Sequence, residues 1–120
     1  MARRIILFLS DYKEDAREKR YRCPVGEDVA GVQTNEAPVR YLLRQYSGVE
    51  EIVCIVTPRA KAAAWAPFRD RIAGEYPNIV LTEIPYEEGE DFAGAPLAGI
   101  MGRVRAGDEV LLETTGGFRN

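Results

Sequence analysis

Two stretches of this chain are too apolar to lie on a sheet with one wet face. "RIILFLS" (4–10) and "EIVCIVTP" (51–58) are near-continuous runs of aliphatic and β-branched residues, each stopped by a polar residue or a proline. A strand with water on one side alternates apolar and polar residues. A run without that alternation belongs to a strand covered on both faces, as in a parallel sheet. Two further runs, the more mixed "IVLTEIP" (79–85) and "EVLLETT" (109–115), also read as strands.

Between these runs the apolar spacing becomes helical. Val39, Leu42, Leu43 and Tyr46 fall at i, i+3, i+4 and i+7 and predict a helix after Asn35. Thr34 or Asn35 is placed to cap it, Pro38 is tolerated in its first turn, and Ser47-Gly48 supplies the stop. "RAKAAAWAPFRDRIAGEY" puts Trp65, Phe68, Ile72 and Tyr76 on one stripe, with Pro67 expected to kink or divide the helix and Gly74 and Pro77 to close it. "APLAGIMGRVRAG" carries Leu97, Ile100, Met101 and Val104 on one face, with Gly107 as the stop. These stripes, Met and Trp included, read as core.

The order strand, long loop, helix, strand, helix, strand, helix, strand predicts a single α/β domain over residues 1–120. Its expected form is a Rossmann-like, doubly wound, mostly parallel sheet of four strands in the order 3-2-1-4. Ligands of such sheets bind beyond the C-terminal strand ends, at the switch point of strand order. With the first strand central, that point lies between the first and fourth strands. Ser10 and Asp11, Thr57 and Pro58, Pro85 and Tyr86, and the turn Thr114-Thr115-Gly116-Gly117 all follow strand ends.

The segment from Asp11 to Gln33 is too long for an ordinary strand-to-helix loop. One reading is a solvated excursion holding a β-hairpin centred on Gly26-Glu27. The other is a lid that brings Tyr12, Lys19 and Arg20 toward a ligand.

Charge and residue usage exclude several functions. A net charge of −3 gives no overall positive field for duplex nucleic acid or an anionic membrane. The N-terminal "MARRIILFLS" is neither a signal peptide nor a span, so a cytoplasmic location is expected. Cys54 sits in an apolar run and reads as a small buried hydrophobe; Cys23 and Cys54 without any histidine make a poor metal set, and no disulfide between them is expected in a cytosolic protein. The lack of His also removes Ser-His and Cys-His nucleophiles and histidine-based ribonuclease chemistry. No cofactor or metal is expected.

The C-terminal "TTGGFR" offers hydroxyls, adaptable backbone N–H groups and a guanidinium, a set suited to phosphate or a nucleotide. It has neither the GxGxxG nor the GxxxxGK[ST] spacing, so pattern alone leaves a phosphate site and a structural turn both open.

The residues around this turn resemble the CRISPR-associated Rossmann-fold (CARF) domains, the sensors of type III CRISPR antiviral defence. One branch of that family carries D-x-T-H-G-F-R after its fourth strand. Here "ETTGGFR" matches it at Thr115, Gly117, Phe118 and Arg119, with Glu113 for the acid and Gly116 for the usual histidine. The spaced tyrosines Tyr12 and Tyr21, the helix start "TNEAPVRYLL" and the segment "TPRAKAAAW" extend the resemblance over most of the chain.

The resemblance implies a homodimer that binds a cyclic oligoadenylate, of four or six units, at its axis and regulates a fused effector absent from this chain. The site residues it implies are Ser10 and the turn Thr115, Gly116, Gly117 and Arg119, with the matched Phe118 and the flanking Thr114 and Asn120; the strand-end reading adds Asp11 and Thr57, and the lid reading adds Tyr12. It names no catalytic residue. Some relatives cleave the messenger, so a ring nuclease is the alternative function. That reaction needs positioning of a ribose 2′-hydroxyl more than a histidine. An unrelated nucleotide-using Rossmann enzyme is the second alternative. Because a switch-point turn normally opens a helix, the chain is also expected to be an N-terminal fragment.

Overall fold

The apolar runs form one parallel sheet, and its strand order is the expected one. The computed structural model of the chain describes residues 2–9, 19–21, 29–31, 35–87, 95–102 and 104–113. In chain order these make β1 (Arg3–Phe8), β2 (Lys19–Tyr21), β3 (Val29–Gly31), α1 (Glu36–Gln45) and β4 (Val49–Val56). A long helical stretch follows, made of α2 (Pro58–Ala60), a π-helical turn (Lys61–Trp65) and α3 (Ala66–Glu75). The remaining elements are β5 (Val80–Pro85), α4 (Ala95–Met101) and β6 (Glu109–Glu113).

The main sheet runs β5-β4-β1-β6, so the third, second, first and fourth predicted strands lie side by side. All three pairings are parallel, with Leu7 opposite both Cys54 and Glu113, and Ile55 opposite Ile84. The two most apolar runs, β1 and β4, are the two central strands, as their lack of a wet face requires. In the segment between β1 and α1, β2 and β3 pair antiparallel with Arg20 opposite Ala30.

Alternate residues of each strand feed two cores. On one face Ile5, Leu7, Ile52, Cys54 and Val56 meet Val39 of α1, Trp65, and Phe68 and Ile72 of α3. On the other, Ile6, Val53, Ile55 and Ile84 meet Ile100 of α4, with Phe8, Tyr86, Val104 and Val110 packed at the margin. Each fully buried aliphatic or aromatic side chain here contributes roughly 1.5–3 kcal/mol, so the two-sided burial of β1 and β4 anchors the fold.

Three details depart from the sequence reading. Pro67 does not break its helix: the backbone stays helical through Trp65 and Ala66, and the turn before the proline widens into the π form. A proline lacks the N–H for the carbonyl four residues back and crowds it, and here the turn that precedes it is the π-helical one. The third helix is shorter than its apolar stripe. It ends at Met101, where Gly102 N–H bonds the Ala98 carbonyl, and Met101 is exposed rather than core. Finally, Asn35 occupies the start of α1 without capping it by its side chain, and Thr34, the other residue placed to cap it, lies outside the described residues. The expected stop at Gly48 does hold, with a left-handed φ of 76° that suits a residue lacking Cβ.

Candidate functional site

Doubly wound sheets bind ligands beyond their C-terminal strand ends at the switch point of strand order, which in this order lies between β1 and β6. Backbone bonds carry the sheet slightly past its strand ends: Leu9 N–H donates to Ile55 O at 3.0 Å and Tyr86 N–H to Val56 O at 2.9 Å. Phe8 and Tyr86 meet edge to face, with ring centroids 6.4 Å apart. Thr57 stands at the end of β4, but its hydroxyl is engaged: Oγ1 accepts the Ala60 N–H at 3.2 Å and caps α2, with Pro58 in the first helical turn. A structural duty thus accounts for Thr57, whose backbone turns the chain from strand to helix.

At the β1–β6 junction sits a buried polar pair on which sequence reasoning placed no ligand role. Asn35 is fully buried; its Nδ2 donates to Phe8 O at 3.1 Å and to Glu113 Oε2 at 2.5 Å. Glu113 is itself buried at the last position of β6. Glu36, the residue after Asn35, is also fully buried and faces α3. Its carboxylate accepts Arg71 Nε at 3.0 Å and Nη2 at 2.5 Å, and Arg40 Nη1 at 3.3 Å. Arg40 in turn forks onto Glu75 at 2.5–3.2 Å. Burial works against the Arg40 charge, but its bond to Glu75 and the nearness of Glu75 and Glu36 raise its pKa overall. Neighbouring residues therefore clamp in opposite directions, Asn35 to the strand ends and Glu36 to α3.

The sequence signal for this pair was present in weak form. A carboxylate closing an otherwise apolar strand, and Asn-Glu opening a helix that packs on a sheet, are polar groups whose burial requires partners.

Of the site residues expected from the sequence, only Thr57 is among those described. Ser10, Asp11, Tyr12, Thr114, Thr115, Gly116, Gly117, Phe118 and Arg119 lie outside them, as do Cys23 and Gly26-Glu27. What the described residues fix is the setting: the strands that precede Ser10 and Thr114 are adjacent, parallel and in register up to Leu7 and Glu113.

A second polar cluster lies at the opposite, N-terminal end of the sheet. Arg4 bonds Glu51 at 3.0 Å and also bonds Asp108, and Thr82 donates to Glu51 at 2.5 Å. Asp108 further accepts the Arg105 N–H at 2.9 Å and the Ala2 N–H at 3.1 Å. Those two backbone bonds, with Arg4 adding to them, hold its carboxyl below the ordinary carboxylate range. The cluster borders a cavity of about 490 Å³ lined by Ala2, Arg4, Glu50, Glu51, Gly102, Arg105 and Asp108. Arg4 pairs with both Glu51 and Asp108, an arrangement that suits a strand-to-turn lock.

Cys54 is fully buried between β1 and β5, and burial, with Glu83 adding to it, pushes its thiol far above the usual thiol range. Such a thiol is inert. Among the described residues no three of His, Cys, Asp and Glu gather as a metal-binding group, and no helix is long and apolar enough to cross a membrane. No protein-family model, curated protein or solved structure matches the chain.

Proposed function

We propose that this chain is a sensor domain that binds a cyclic oligoadenylate of four or six units and controls an effector in CRISPR antiviral defence. The observation that supports the reading is the pairing of β1 with β6. It makes neighbours of the two strands whose following residues, Ser10 and the Thr114–Arg119 run, carry the resemblance to the CARF domains. A ligand between parallel strand ends at a switch point is the general rule for doubly wound sheets. The hydroxyls, glycine backbone and guanidinium of the run suit ribose and phosphate. The reading includes a homodimer, with the messenger shared across its axis.

Calorimetric titration of the chain with cyclic tetra-adenylate and cyclic hexa-adenylate tests it, with chromatography of the recovered ligand. Binding of one ring, recovered intact, is the expected result, and recovery of linear fragments would make the protein a ring nuclease. A charge-assisted contact is worth about 1.5–3 kcal/mol, so Arg119→Ala should weaken binding by about ten- to a hundred-fold. If neither ring binds, the proposal is wrong.

A further inference from the structure

An asparagine at the start of a helix ordinarily spends its side chain on the helix's own unpaired N–H groups. Asn35 does not. Its backbone is already helical, with φ −82° and ψ −14°, and its side chain makes no capping bond. Its amide nitrogen instead spans two neighbouring strands, donating to the Phe8 carbonyl at the end of β1 and to the Glu113 carboxylate at the end of β6. Instead of capping the helix, this fully buried amide joins two strand ends.

The anchor is itself held firmly. Asn35 O accepts the Val39 N–H at 3.0 Å, and Val39 is fully buried in the core. Glu36, the next residue, is fixed to Arg71 and Arg40. A side chain whose backbone is locked from behind can set the spacing of groups in front of it, which is how supporting residues fix a binding site. Glu113 is the last described residue of β6, and the Thr114–Arg119 run follows it directly in the chain.

We infer that Asn35 is the positioning residue of the β1–β6 edge: through Glu113 it ties the end of β6 to the end of β1, and so sets the affinity for ligand at this edge. The inference rests on the reading of this edge as a cyclic-oligoadenylate site. Asn35 acts on ligand only through Glu113 and is not itself a contact residue.

The test compares the full chain with Asn35→Ala, Glu113→Ala, Glu113→Gln and a core control, Ile72→Val. Calorimetry with cyclic tetra-adenylate and cyclic hexa-adenylate gives Kd, and hydrogen exchange reads the Leu112 and Glu113 amides without ligand. Loss of a bond of this kind should weaken Kd by about ten-fold in Asn35→Ala and Glu113→Ala. Glu113→Gln keeps a carbonyl acceptor for Asn35 and should stay within about two-fold of the wild type. Exchange at Leu112 and Glu113 should rise in Asn35→Ala and not in Ile72→Val.

An equal loss of affinity in Ile72→Val, or in Glu113→Gln and Glu113→Ala alike, overturns the positioning role. Unchanged exchange in Asn35→Ala overturns the clamp itself. If the wild type binds neither ring, the sensor reading fails and the ligand role of Asn35 fails with it, and exchange alone then decides whether Asn35 holds the two strand ends.

Discussion

Glu36 gives the sharpest test of how α1 and α3 are joined. Its side chain is 1% exposed and accepts two bonds from Arg71 and one from Arg40. Replacing it by glutamine keeps the shape but removes the charge and sets an amide N–H₂ against guanidinium donors. Breaking a buried ion pair from one side costs about 3–5 kcal/mol when the abandoned charge stays dry. Here Arg71 keeps 37% of its side-chain surface and Arg40 retains Glu75, so water and Glu75 recover part of the loss. We expect Glu36→Gln to destabilise by about 2–3 kcal/mol, allowing for bonds to charged groups worth roughly 1.5–3 kcal/mol. With a urea slope of about 1–2 kcal/mol per molar for a domain of this size, the midpoint of unfolding should fall by roughly 1–3 M.

The attribution to Arg71 needs a double-mutant cycle with Arg71→Met. The coupling should be about 1–2 kcal/mol, in the range found for residues sharing one network. Urea unfolding followed by circular dichroism measures all four proteins. The reasoning is refuted if Glu36→Gln leaves the midpoint unchanged. It is equally refuted if its cost is the same with Arg71 and with Met at position 71, for then Glu36 is not stabilised by that pair.

Three further outcomes are expected. The Asp108 carboxyl is held below its unfolded value by the Arg105 and Ala2 N–H groups and by Arg4, so its stabilisation is present above the unfolded pKa and lost as pH falls through the lower folded one. Asp108→Asn should therefore melt lower than the wild type at pH 7, with the gap closing in the acid range below about pH 4; a gap independent of pH would refute the assignment. In a Cys23→Ser background, maleimide should label Cys54 only as fast as the protein unfolds, and labelling at a free-thiol rate in native buffer would contradict its burial. Leu112 is 62% exposed, so Leu112→Thr should change stability by no more than about 0.5 kcal/mol. A much larger loss in thermal unfolding would mean that another copy or segment covers β6 in solution.

The amino-acid sequence by itself determined the two-sided strands, the helical stripes and the α/β alternation. Ile5, Leu7, Ile52 and Val53 had to be buried on both faces, and Val39, Phe68 and Ile72 had to face a core, because apolar spacing along the chain reads directly onto a pleated strand or a helix. The fold followed from that local periodicity. Thr57, too, was legible as the polar residue ending a strand, although its hydroxyl serves the helix after it.

Local spacing could not say where polar side chains would find partners. Asn35 looked like a helix cap from its neighbours in sequence, yet its amide reaches Glu113, 78 positions away, because β1 and β6 became neighbours and brought that carboxylate beneath α1. Glu36 meets Arg71 across 35 positions for the same reason, once α1 and α3 share one face of the sheet. Met101, the last residue of α4, lies exposed rather than in the core, and the backbone before Pro67 takes a π turn that no apolar pattern encodes. Burial of an apolar group needs only any apolar surroundings, whereas a buried amide or carboxylate needs one particular donor or acceptor at bonding distance. The first is a property of the residue and its spacing, and the second exists only when distant segments have been brought together.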